Sequence, residues 1–250
     1  MKKTTLLKTS LWLVLFVLAL KVNAQTVTIG SGTSQSNATV SSPVNNEYES
    51  HHCQILYTAA EITAGGLSSA GTITQLGFYV TTAPANSLPN FTIKMKNTSA
   101  ANAISYDGGG LTQVHTIASY MPGTGSFQML TLTTPFVWDG ASNLLVDVCF
   151  DPAAGSGGSG RVRVFTPSPA GTHYSYTRND AEAQCGIATN ADDGNFNDFG
   201  TRAAKPQIRF IYTAAPSCIT PAISSLSSLS STGVLINWTA PIPAPANGYH

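Results

Sequence analysis

The chain has 250 residues, its 12 basic and 12 acidic side chains cancel, and only 10% of residues are charged against 42% hydrophobic. That balance excludes the basic stripe of a nucleic-acid binder and the basic clusters that hold proteins on anionic membranes. Enough apolar material remains for a sizeable core, so the composition also excludes a disordered chain.

Lys2, Lys3 and Lys8 precede the apolar run Leu11 to Leu20, and Val22-Asn23-Ala24 follows with small residues at cleavage positions. This is the layout of a secretory signal peptide over residues 1–24, with Gln25 as the mature N-terminus. The run is about half of what a membrane-spanning helix needs. With the cleavage site beside it, this argues against an uncleaved anchor. No later stretch is long and apolar enough to cross a membrane, so no transmembrane segment is expected after signal removal.

Residues 25–46 are Ser/Thr/Asn/Gly-rich around one β-like patch, Thr26 to Ile29, and read as an N-terminal edge strand with a loop. Cys53 to Thr58 then reads as a strand. Thr58-Ala-Ala-Glu61 has the form of a helical capping box, and Gly65-Gly66 stops the turn. Everything after it has period two. Leu76, Phe78 and Val80 share one face, as do Phe91, Ile93 and Met95, whose strand carries Thr92, Lys94 and Lys96 on a wet face. Further strands are expected over Thr112–Ile117, Phe127–Leu132, Leu144–Phe150, Arg161–Phe165, His173–Tyr176 and Gln207–Tyr212. About ten strands with no helices between them argue against a parallel sheet. The expected class is all-β: an antiparallel two-sheet sandwich of jelly-roll type over residues 47–212.

Cys53, Cys149, Cys185 and Cys218 make an even count in a chain expected to be exported, which favours disulfides. Three connectivities are open to four cysteines. Strand faces suggest one bond. Leu144, Val146, Val148 and Phe150 take the inner face, so Cys149 points outward, and the long loop carrying Cys185 can fold over that outer face. A Cys149–Cys185 bond would close a loop of about 37 residues, worth roughly 4 kcal/mol in the chain-entropy model.

Catalytic constellations are sparse. There is no Gly-x-Ser-x-Gly elbow, no His-Glu-x-x-His and no P-loop. His51-His52-Cys53 cannot converge on one metal without a bend, because adjacent strand residues face opposite ways. His115 and His173 lie in strand patterns and read as half-buried structural residues. Asp193, Asn195 and Asn197 alternate as oxygen ligands do at the start of a calcium loop. The EF-hand pattern fails, with Asp198 where Gly is needed and Ala204 where an acid is needed. A looser calcium site and a solvated Asx-rich turn both fit these residues. No other cofactor is expected. Trp138-Asp139-Gly140 reads as a tight turn with the Trp packed beneath it, against the alternative of an exposed sugar platform.

Two resemblances add to this reading. The C-terminal stretch runs from Pro216-Ser-Cys-Ile-Thr-Pro221 through Gly233-Val-Leu-Ile-Asn-Trp238-Thr-Ala-Pro241. It resembles the first two strands of a fibronectin type III module. The resemblance implies an immunoglobulin-like sandwich that needs about seven strands to close. Residues 213–217 are then a linker and 218–250 an incomplete module. The strings Tyr57 to Glu61, Gly71 to Phe78, Thr134 to Gly140, Asn143 to Phe150 and Lys205 to Phe210 look like an N-terminal β-sandwich module of large secreted bacterial surface proteins. Such proteins carry fibronectin type III repeats and often end in a sorting domain for type IX secretion. The resemblance implies a secreted or cell-surface modular protein with a non-catalytic adhesion or ligand-binding region. Its partner would be an extracellular carbohydrate or protein, not nucleic acid. The alternative is an accessory, carbohydrate-binding region of a secreted hydrolase whose catalytic domain lies beyond residue 250.

Overall fold

The computed structural model describes residues 24–36, 41–153, 160–168, 171–188 and 198–215, together with the backbone of 222–227 and 235–239. In chain order the elements are β1 (Gln25–Ile29), β2 (Ser50–Tyr57), α1 (Ala59–Ala64), β3 (Gly71–Thr82), β4 (Leu88–Thr98), β5 (Thr112–Tyr120), β6 (Ser126–Trp138), β7 (Asn143–Phe150), β8 (Arg161–Val162), β9 (Val164–Phe165), β10 (Tyr174–Asn179), β11 (Asp198–Arg202), β12 (Lys205–Pro206), β13 (Ile208–Ala214), β14 (Ala222–Ser227) and β15 (Leu235–Thr239).

Two antiparallel sheets stack into a sandwich. One has the order β11-β10-β2-β7-β4-β5, the other β1-β13-β3-β6 with β8 attached to β3. From β2 the chain crosses to β3, returns for β4 and β5, crosses to β6 and returns to β7. This repeated exchange between sheets is the jelly-roll-like arrangement that the strand pattern predicts. Period-two burial drives it. Ile55 and Tyr57, Ile93 and Met95, and Val146 and Val148 from the six-stranded sheet meet Leu76, Phe78, Phe136, Phe210 and Tyr212 from the other in one buried cluster. His115 of β5 hydrogen-bonds through Nδ1 to the Thr131 carbonyl of β6 at 2.9 Å, a polar tie from sheet to sheet.

The helical turn forms where the capping box predicts it. Thr58 Oγ1 accepts from the Glu61 backbone at 3.2 Å, and Glu61 Oε2 accepts from the Thr58 backbone at 2.7 Å. Ile62 plugs the turn into the core. The Trp138 turn also forms. The indole is buried and donates to the Ser142 carbonyl at 2.8 Å. Asp139 Oδ1 accepts from the Ala141 and Ser142 amides, and Gly140 takes φ +84°. The sugar-platform alternative does not fit a buried indole.

Two boundaries differ from the sequence reading. The N-terminal edge strand expected within 25–46 forms as β1, but it belongs to the sandwich, which therefore starts before residue 47. β1 pairs along its whole length with β13, and Val27 and Ile29 enter the core. The first sandwich also does not close at Tyr212. Thr213 pairs with Thr72, Ala214 with Gly71, and the Ala215 amide donates to the Ala70 carbonyl at 2.8 Å. The pairing passes a bulge at Thr74 of β3, where Ile211 pairs with Gln75 and Tyr212 with Ile73, and continues to Ala214. Gly71 is required there, since a Cβ would collide with the Thr213 carbonyl and the Tyr212 ring. Further on, β14 and β15 pair antiparallel, with Ile223 opposite Trp238.

Candidate functional site

The outer face of the six-stranded sheet carries a row of polar residues in register. Gln54 on β2 stands opposite Asp147 on β7, Asp147 opposite Lys94 on β4, and Lys94 opposite Gln113 on β5. Each step is one inter-strand spacing, about 4.8 Å. The row exists because the neighbours Ile55, Val146, Val148, Ile93 and Met95 occupy the inner face, and alternation turns the intervening residues outward.

This outer face is only partly wet. The loop between β4 and β5 brings Tyr106 over His52, with ring centroids 4.3 Å apart, and the Tyr106 hydroxyl donates to the His52 carbonyl at 2.7 Å. From the other side the disulfide Cys149–Cys185 pins residues 185–188 against β7. Between these walls lies a cleft of about 340 Å³ with His52, Gln54, Asp147, Lys94 and Gln113 in its lining.

Asp147 is the centre of the cleft floor and is 1% exposed. Its Oδ2 receives His52 Nε2 at 2.7 Å and Gln54 Nε2 at 2.8 Å. Gln54 is itself fixed by accepting from the Asp107 amide at 2.8 Å. Burial pushes the Asp147 carboxyl up. The charge and hydrogen bond of His52, the Gln54 amide and the Lys94 ammonium outweigh this and hold it below its ordinary value. Asp147 is therefore an anion at neutral pH. Its Oδ1 and the Nδ1 of His52 are buried, and neither has a hydrogen-bond partner among the described residues. Orphaned buried polar atoms beside a cleft are open to a partner that the described residues do not supply. A His–Asp pair also serves hydrolases by activating a nucleophile. Among the described residues lining this cleft there is no serine, threonine or unpaired cysteine to activate.

A second polar cluster lies at the opposite end of β2. Lys205 is fully buried, and its ammonium donates to the Leu56 carbonyl at 2.6 Å, Glu61 Oε2 at 2.7 Å and His173 Nδ1 at 3.0 Å. Burial lowers the lysine to about 8, against the opposing pull of Glu61. Burial and the lysine charge together lower His173. All three ammonium hydrogens have acceptors, so Lys205 pins α1, β2 and β12 together, while Glu61 Oε1 is buried with no partner among the described residues. A cleft of about 610 Å³ opens beside it, walled by Ala60, Ala64, Ala101 and Pro167.

The residues singled out by sequence fall as follows. Cys149 and Cys185 form the expected disulfide, and Cys149 does face away from the core. It is nevertheless buried, because its partner loop covers it. Cys53 is unpaired among the described residues and lies in the core, where burial raises its thiol. His51 and His52 point to opposite faces as expected. His51 Nε2 contacts the Tyr174 hydroxyl at 3.0 Å, while His52 faces Asp147. No three His, Cys, Asp or Glu among the described residues gather as a metal site. The calcium candidates Asp193, Asn195 and Asn197 lie outside the described residues. Their neighbour Asp198 is described, and it pairs with Arg178. The sequence reading did not single out Asp147, Gln54 or Lys205. Asp147 left one local signal, a lone carboxylate inside the apolar run Leu144 to Phe150.

Comparison of the chain with protein-family models, curated proteins and solved structures finds no match.

Proposed function

We propose that this chain is part of a secreted, modular cell-surface protein. Its jelly-roll sandwich takes an extracellular carbohydrate or protein ligand in the cleft over Asp147, and a fibronectin type III-type segment follows it. The observation that carries the reading is a rigid, strand-borne polar floor in which a buried carboxylate oxygen and an imidazole nitrogen lack partners among the described residues. Binding sites are concave and usually preformed, with a few placed polar groups, and this cleft has that make-up. The Cys149–Cys185 bond supports export, since disulfides persist in oxidising compartments. The Lys-rich, apolar start with Val22-Asn23-Ala24 supports it independently. Among the described residues, no helix is long and apolar enough to cross a membrane. A second reading, an accessory carbohydrate-binding region of a secreted hydrolase, draws on the same cleft.

The test has two arms. N-terminal sequencing of exported protein should find Gln25 first, and recovery of the Met1 form from the cytoplasm as the dominant species would contradict export. Immobilised protein should then be screened against glycans and extracellular matrix proteins. Binding that Asp147→Asn weakens at unchanged melting temperature supports the cleft as the site. Binding indifferent to Asp147 and Lys94 rejects it.

A further inference from the structure

The cleft's own chemistry narrows its ligand, on the premise that it is the binding site. Its unsatisfied groups lie on neighbouring strands at fixed spacing. Asp147 Oδ1 accepts only, and it is buried without a partner among the described residues. One strand away, the Lys94 ammonium donates only, and it has neither a hydrogen bond nor an ion pair among the described residues. Its charge reaches Asp147. One strand further, the Gln113 amide both donates and accepts, and it is exposed. His52 Nδ1 lies on the near side, its other nitrogen held by Asp147.

The anion and the cation face a ligand together, so each opposes the charge that the other attracts. A phosphate or sulfate drawn to Lys94 would lie near the Asp147 carboxylate, which stands on the next strand in register. An ammonium drawn to Asp147 would stand equally close to Lys94. Both carry a repulsion in a partly desolvated cleft, where such terms are weakly screened. A neutral ligand avoids it, provided adjacent atoms both donate and accept. Vicinal hydroxyls do both. One hydroxyl gives its proton to Asp147 Oδ1, and its neighbour's oxygen receives from Lys94. The walls supply what the C–H faces of such a ring need, namely the Tyr106 ring and the side chains of Leu111 and Ile187. A cleft of about 340 Å³ falls at the small end of ligand sites, about 300–1,000 Å³.

We propose that the cleft binds a small neutral saccharide, with Asp147 accepting from one hydroxyl and Lys94 donating to the adjacent one. Gln113 would extend the contact along the row.

The experiment titrates the exported chain with four probe classes and follows the His52 ring resonances by NMR. The classes are neutral methyl glycosides and disaccharides of glucose, galactose, mannose and N-acetylglucosamine; glucuronate and a sulfated sugar; glucosamine; and glycine-based dipeptides. Neutral sugars should shift His52 at millimolar concentration and the charged probes should not. Lys94→Met and Asp147→Asn should each weaken the sugar by about tenfold or more, as expected for loss of a hydrogen bond to a charged group. Asp147→Asn should in addition admit glucuronate, because the repelling carboxylate is gone. That gain of binding separates recognition from misfolding. If His52 responds to charged sugars or dipeptides but not to neutral sugars, the saccharide assignment falls and the cleft remains a ligand site. Silence of His52 toward every probe overturns the saccharide assignment outright.

Discussion

At the scale of single residues, Lys205 sets a stability term with a definite sign. Its folded-state value of about 8 lies below the roughly 10.4 of an unfolded lysine. Between those values the folded protein has shed the proton and the unfolded chain still holds it. The unfolded state then binds more protons, so this group's contribution to stability rises with pH across the window. Below pH 8 the folded state carries the full cost of a buried ammonium. Lys205→Met removes the term. The urea-unfolding free energy of wild type minus that of the variant should therefore climb from pH 7 to pH 10. Buried tyrosines such as Tyr57 and Tyr174, whose hydroxyls burial raises, act the opposite way at high pH. They are common to both proteins and cancel in the difference. A flat difference would show that Lys205 titrates normally. Glu61→Ala leaves the ammonium buried against Leu56 and His173 without its counter-charge. It should cost about 3–5 kcal/mol, as breaking buried pairs does.

At the scale of elements, α1 is too short to stand by itself, since nucleation of a single turn is unfavourable. It is held from outside. Besides the capping box, the Ala59 amide donates to Asn143 Oδ1 of β7 at 2.7 Å, and Lys205 grips Glu61. Thr58→Ala should cost about 1 kcal/mol by chemical denaturation, the usual worth of a cap. That is clearly less than Glu61→Ala, which breaks cap and ion pair together. The turn was legible in four consecutive residues because a capping box is local chemistry. The Cys149–Cys185 bond was legible because alternation along Leu144 to Phe150 fixes which way Cys149 points. The cleft was not. His52 and Asp147 are 95 residues apart and meet only through the pairing of β2 with β7. Strand order and register are settled by the whole core, and no neighbouring residue in the chain reports them. Period two marked Lys94 as belonging to a wet face, yet nothing local placed it beside Asp147. The disulfide links both kinds of knowledge, since it also builds one wall of the cleft. Replacing Cys149 and Cys185 by Ala should destabilise by up to about 4 kcal/mol in the chain-entropy model. It should also weaken ligand binding beyond what the stability loss explains, as read by titration well below the melting temperature. Unchanged affinity would mean that residues 185–188 do not shape the site.

At the scale of the whole molecule, the question is where the sandwich stops. Backbone pairing with β3 continues through Ala214, and the Ala215 amide makes the last described bond to Ala70. The Tyr212 ring is buried in the core, and its hydroxyl donates to the Ser69 carbonyl, so the end of β13 is anchored by side chain as well as backbone. A chain ending at Ala215 keeps all of this. Few contacts cross a linker of the kind the sequence suggests after it, so its melting temperature should match that of the full chain within a few degrees. A chain ending at Tyr212 loses the pairing of Thr213 and Ala214 and the Ala215 bond. Each net hydrogen bond is worth about 0.5–1.5 kcal/mol, so a loss of about 1–3 kcal/mol should appear in the same calorimetric comparison. The order of the two truncations tests the boundary. If the chain ending at Ala215 is already unfolded, the strands Ala222–Ser227 and Leu235–Thr239 belong to the stability of the sandwich, and the two-module organisation is wrong. If both truncations melt like the full chain, the pairing beyond Tyr212 contributes nothing, and the sandwich ends where the linker begins at Thr213.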